Sequence, residues 1–102
     1  MFELKVKASA DSATIHFIGS LSIRDTPTLR SELSRLKDNG IKYIVFDFKE
    51  LNFLDSSGIG VLLHTYNWAK EREGSVKIIH MSKEVKSIFT ISNLLDLFSV
   101  ET

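Results

Sequence analysis

The order of apolar patterns along this chain predicts an α/β domain built on a mainly parallel central sheet, with an antiparallel hairpin strand at the N-terminus. Three observations carry it. The first residues alternate strictly between apolar and charged, Tyr43 to Phe46 form an almost continuous apolar run, and helical-period segments separate the later strand-like stretches. The expected order is β-β-α-β-α-β-α-β with about three to four helices, right-handed crossovers joining the parallel strands.

Phe2, Leu4 and Val6 alternate with Glu3, Lys5 and Lys7, which reads as a half-exposed strand whose lysines protect a sheet edge. After a turn over Ser9-Ala10-Asp11-Ser12, the stretch Thr14 to Ile18 reads as the second strand of a hairpin, ended by Gly19. Thr26 before Pro27 marks a helix start, and Leu29, Leu33 and Leu36 recur at helical spacing up to Asn39-Gly40. The run Tyr43-Ile44-Val45-Phe46 suits a central strand covered on both faces. A second helix is expected from Asp55-Ser56-Ser57 to about Arg72, with Gly74 ending it. Val76 to Met81 is the fourth strand. Ser82 caps a third helix with Val85, Ile88 and Phe89 on one face, and Leu97 to Val100 is a short last strand.

The chain has 102 residues, enough for one core and too few for two, so residues 1–102 are read as one domain. Thirteen basic residues balance thirteen acidic ones, which argues against nucleic acid or an anionic membrane surface as partner. Cysteine is absent, excluding thiolate metal sites, and no segment approaches the roughly 20 apolar residues of a membrane span. A cytoplasmic protein, monomeric or weakly dimeric, is expected.

The informative motif is Asp55-Ser56-Ser57-Gly58-Ile59-Gly60, where small and hydroxyl residues open the second helix. A helix N-terminus offers free amides and the positive end of the macrodipole, so a phosphate on either serine is accommodated there. On a helical wheel Ile59, Leu62, Leu63, Tyr66 and Ala69 form the core stripe. Ser57 falls roughly 175° from its centre and Ser56 about 85°, which favours Ser57 as the accessible hydroxyl, with Ser56 the alternative. Val61, His64 and Trp68 lie on the Ser57 side. They form either a partner-docking face or a face covered by a neighbouring helix. Asp55 is placed to cap the helix through its carboxylate.

Other chemistry lacks its parts. His64 stands about 10.5 Å of helical rise from Ser57, too far to activate it. His16 and His80 fall in strand patterns, where a hydrogen-bonded structural histidine is expected. Gly58-Ile59-Gly60 lacks the further glycine of a dinucleotide fingerprint, Leu63 standing in its place, and there is no P-loop lysine. Glycine here instead allows close helix-to-sheet approach. No catalytic residue, cofactor or metal is expected.

Phe46-Asp47-Phe48 leading through Leu51-Asn52-Phe53-Leu54 into Asp55-Ser56-Ser57-Gly58-Ile59-Gly60-Val61-Leu62 resembles the STAS domain, the sulfate-transporter and anti-sigma-factor-antagonist family, and in particular the bacterial anti-sigma factor antagonists. Gly19-Ser20-Leu21 before the first helix adds a weaker match. The resemblance implies a partner-switching protein. Unphosphorylated, such a protein binds an anti-sigma factor that is also a serine-protein kinase and frees its client; phosphorylation ends the contact and a phosphoserine phosphatase resets it. By position the phosphorylated residue falls on Ser57, with Asp55, Ser56, Gly58 and the loop at Ser22 and Asp25 beside it. The family often reads Gly-Glu-Leu-Asp where this chain has Gly19-Ser20-Leu21-Ser22, so two acidic positions are missing and Asp25 is a shifted substitute. The alternative is a constitutive STAS subunit of a signalling or lipid-transport assembly, never phosphorylated.

Overall fold

The computed structural model describes residues 2–91 and 98–101. Strands β1 (Phe2–Ser9) and β2 (Ser12–Leu21) form the expected antiparallel hairpin. A 3-10 turn over Ile23–Asp25 leads into α1 (Thr26–Asp38), followed by β3 (Tyr43–Leu54), α2 (Ser56–Glu71), β4 (Ser75–Ile79), α3 (Lys83–Ile91) and β5 (Ser99–Glu101). Leu97, expected to begin the last strand, lies outside the described residues.

The sheet order is β1-β2-β3-β4-β5, identical to the chain order, and every pair after the hairpin is parallel. A parallel sheet that grows steadily in one direction through right-handed crossovers must place each crossover helix on the same side. The core bears this out. Ile15, Phe17, Ile44, Phe46, Phe48 and Ile78 point to the helices and are almost wholly buried. Phe17 packs against Phe46 and Phe48 with ring centroids 5.3 and 5.0 Å apart, and Phe48 reaches Phe89 of α3 at 6.3 Å.

The opposite face corrects the expectation that β3 is covered on both sides. It carries Thr14, His16, Ile18, Val45, Lys77 and Ile79, all only half-buried, and among the described residues no helix lies over it. The continuous apolar run of β3 reflects its central place, flanked by strands on both edges, rather than two helical layers.

Two strands run further than their patterns suggested. β2 continues through Gly19, whose φ of 96° falls at a bulge, to buried Leu21. β3 extends to Leu54 because two irregularities in its pairing with β2 each insert an extra residue. They place Lys49 and Glu50, then Asn52 and Phe53, as exposed doublets, which breaks the period-two signal. At the end of α2, Glu73 rather than Gly74 takes the left-handed conformation, with φ 62°. The amides of Glu73 and Gly74 close a Schellman motif on Lys70 and Ala69 at 3.0 and 2.7 Å. Gly74 is needed for a different reason: a Cβ there would sit 1.9 Å from the Lys42 carbonyl oxygen.

Candidate functional site

The C-terminal ends of β2 and β3 lie side by side, with Leu21 paired to Leu54, so the segments leaving them meet. From β3 the chain turns at Asp55 into α2. Asp55 has extended backbone and its Oδ1 accepts from the amides of Ser57 at 3.0 Å and Gly58 at 3.3 Å, the arrangement of a helix cap. The Ser57 hydroxyl donates to the same oxygen. This hydroxyl, with the amides of Gly58, Ser57 and Ile23, holds the Asp55 carboxyl below its ordinary value against the opposing effect of burial.

From β2 the chain enters the 3-10 turn, where the Ser22 amide and hydroxyl both donate to Asp25 Oδ2 at 3.0 Å. The Ile23 amide meets Asp55, and the Asp55 amide donates to Leu21 O at 3.2 Å. Ser22, Asp25, Asp55, Ser56, Ser57 and Gly58 are thereby brought into one neighbourhood. Gly58 seals it: a Cβ there would lie 2.7 Å from Leu21 Cδ2 and 3.6 Å from Leu54 Cβ. The same test finds open space at Gly60, so only the first glycine of the motif serves close approach.

Two expectations change, and one open pair of readings is settled. Ser56 is exposed whereas Ser57 is half-buried, the reverse of the wheel reading, because the Asp55 cap draws the Ser57 hydroxyl inward. Leu63 and Tyr66 are only half-buried, while Gly58, Thr65 and Trp68 join the buried side of α2. The buried sector is rotated because α2 is held between the sheet and α1. For the same reason Val61 and Trp68 do not form an open docking face. They are 2% and 5% exposed, and Lys37 Nζ and Arg72 Cζ lie 5.9 and 5.8 Å from the Trp68 ring centre. His64 remains exposed, at the rim of a shallow groove between α1 and α2.

The sequence reading missed two apolar side chains at this end of the sheet. Ile23 in the 3-10 turn is 71% exposed and Phe53, near the end of β3, is 49% exposed. Each follows a polar or alternating pattern that hides it, Ile23 between Ser22 and Arg24 and Phe53 after Asn52. The signal available was a large apolar residue within three positions of a serine at the end of a strand, Ile23 after Ser22 and Phe53 before Ser56.

Comparison with known proteins places this architecture. Residues 3–102 match the family model for the STAS domain. An anti-sigma-B factor antagonist of Bacillus subtilis is 26% identical over 93% of this chain and 86% of its own length. Among solved structures, the Bacillus cell fate determinant SpoIIAA in its phosphorylated form superposes with a TM-score of 0.76 at 22% identity, covering 100% of this chain and 92% of that one. An anti-sigma factor antagonist from Mycobacterium paratuberculosis gives a TM-score of 0.87 at 16% identity, covering 99% and 86%. At these identities the structural likenesses establish the shared fold, and the family match extends over nearly every residue. The chain therefore belongs to the STAS domain family and is similar to its anti-sigma factor antagonists.

Proposed function

We propose that this protein is a non-enzymatic anti-sigma factor antagonist of the cytoplasm that exchanges partners under control of phosphorylation at Ser57. The observation that carries the reading is the Ser57 hydroxyl at the N-terminus of α2, beside Asp55 and the Ser22–Asp25 turn and at the same end of the sheet as exposed Ile23 and Phe53. The relative from Bacillus subtilis is itself an anti-sigma-B factor antagonist. Unphosphorylated, this end docks on an anti-sigma factor with serine-protein kinase activity, Ile23 and Phe53 supplying the apolar contact. A phosphate on Ser57 adds about −1.5 to −2 charges next to the Asp55 carboxylate. The helix amides offset part of that charge, so the fold persists while an acidic or apolar partner surface is repelled. A phosphoserine phosphatase restores the binding form.

The half-buried, hydrogen-bonded state of Ser57 favours one competing reading, a constitutive STAS subunit in which Ser57 only reinforces the cap. Phosphosite mapping by mass spectrometry on protein from its native cells, resolving Ser56 from Ser57, separates the two. Partial occupancy at Ser57 is expected. Absence at Ser57 across growth and stress conditions, with that peptide fully covered, would refute the switch in favour of the constitutive subunit.

A further inference from the structure

The open face of the sheet holds a polar cluster that the serine end does not use. Asp47 of β3 is 7% exposed although, among the described residues, no helix covers it. Its Oδ2 lies 3.1 Å from His16 Nδ1, and its Oδ1 lies 2.9 Å from His80 Nδ1 and accepts from the Lys49 amide at 3.0 Å. Burial, the largest single influence, pushes the Asp47 carboxyl up. The His80 hydrogen bond, the Lys49 amide and the charges of His80 and His16 together outweigh it and hold the group below its ordinary value.

Two irregular backbone features build this cluster. A bulge in β3 between Asp47 and Glu50 turns the Lys49 amide onto Asp47. His80, directly after β4, takes the left-handed conformation with φ 60°. A non-glycine residue in that conformation is strained, and such strain collects at functional sites. Here it coincides with the ring reaching back to Asp47.

Above the cluster lies a cleft of about 370 Å³, within the range of small-molecule sites. Lys5 and Lys7 border it from β1, His16 from β2, Lys49 and Glu50 from β3, and His80 from the end of β4. Ile18 adds an apolar wall. Glu3, paired with Ile18, and Lys77, paired with Val45, stand on the same face beyond this lining.

We propose that this cleft binds a small phosphate-bearing molecule, its oxygens held by the Nε2 atoms of His16 and His80 and by the ammonium groups of Lys5, Lys7 and Lys49. An ionised carboxylate only accepts hydrogen bonds, so the contact with Asp47 puts the His80 proton on Nδ1 and leaves Nε2 for a ligand, while His16 Nδ1 stands as an ion-pair contact 3.1 Å from the other carboxylate oxygen. When the rings are protonated, both Nε2 atoms become donors, and the three lysines outnumber the Asp47 and Glu50 carboxylates. Several donors on different strands suit the three terminal oxygens of a phosphate better than the two of a carboxylate. Among the described residues no group of three or more His, Asp or Glu is arranged to hold a metal ion. The Nδ1 atoms are directed at Asp47 rather than at a common point outside it.

Sulfate is the first probe, because it is a tetrahedral dianion that presents the same acceptor oxygens as a phosphate group. The full-length protein, labelled with nitrogen-15, is titrated with sodium sulfate at constant ionic strength while the imidazole and amide signals are followed. Saturable shifts at the His16 and His80 Nε2 atoms are expected. Phenyl phosphate is expected to saturate the same signals. His16→Gln and the exposed-site variant Lys7→Ala should each weaken sulfate binding several-fold with the amide spectrum otherwise retained. Shifts that grow linearly and match those with chloride would overturn the site. So would saturable sulfate binding untouched by both variants, and an absence of saturation with phenyl phosphate would overturn the assignment to a phosphate-bearing molecule.

Discussion

Asp55 and Asp47 are both shielded carboxylates that gather several donors, yet they do so over opposite distances along the chain. Asp55 takes the amides of Ser57 and Gly58 and the Ser57 hydroxyl within three residues, and only the smallest of its influences, the Ile23 amide, comes from farther along the chain. Asp47 takes imidazoles from two other parts of the sheet, His16 on β2 and His80 33 residues away. The first is a local device that forms with its helix. The second exists only after β2, β3 and β4 are in register, so it reports on the assembled sheet.

The contrast can be tested against the weight of the core. Trp68→Ala should cost about 3–5 kcal/mol, read from the urea midpoint, because the ring is buried between α1 and α2. A loss much below that range would mean that Trp68 packs loosely and would reopen the α2 face as a docking surface. Asp47→Ala should cost about 1–3 kcal/mol, since it leaves the Lys49 amide and the His80 imidazole without their acceptor and removes the charge beside His16. Asp55→Ala should cost about 0.5–2 kcal/mol, the usual range for a lost helix cap. If the order of the two aspartates reversed, the long-range cluster would be the weaker device.

Their acid responses sharpen the same comparison. Both carboxyls lie below their ordinary value in the folded protein, so each contributes stability that is complete above the unfolded-state value and is lost as pH falls through the folded one. Asp47→Asn and Asp55→Asn remove the titration, and each should flatten the acid limb of a plot of urea midpoint against pH. The smallest expected effect is that of Ser57→Ala, about 0.5–1 kcal/mol. Its diagnostic consequence is an upward shift of the Asp55 carboxyl titration, followed by carbon-13 NMR, because the Ser57 hydroxyl is the largest influence holding that group down. An unmoved titration would show that the backbone amides alone set it.

The same difference in distance explains what could be read before the structure. The cap at Asp55, the cap at Ser82, the edge hairpin and the leucine stripe of α1 all depend on neighbours a few residues away, and their patterns announce them. The exposure of Ser56 over Ser57 was misread because a wheel gives direction without the pull of a hydrogen bond. The fate of Val61 and Trp68 depended on where α1 would lie, and the open face depended on strand order. Asp47 stood in a strand pattern between two phenylalanines, with nothing nearby in sequence to mark His16 and His80 as its companions.

A sheet whose spatial order equals its chain order carries a consequence for the protein's birth. The β1–β2 hairpin needs no later residue to pair, and each following strand has its docking edge already present when it leaves the ribosome. No gap must be held open for a late strand to thread between earlier ones. Every nascent intermediate grows at a single edge while the lysine-bearing β1 keeps the other, so newly unpaired backbone during synthesis is confined to the growing side of the sheet.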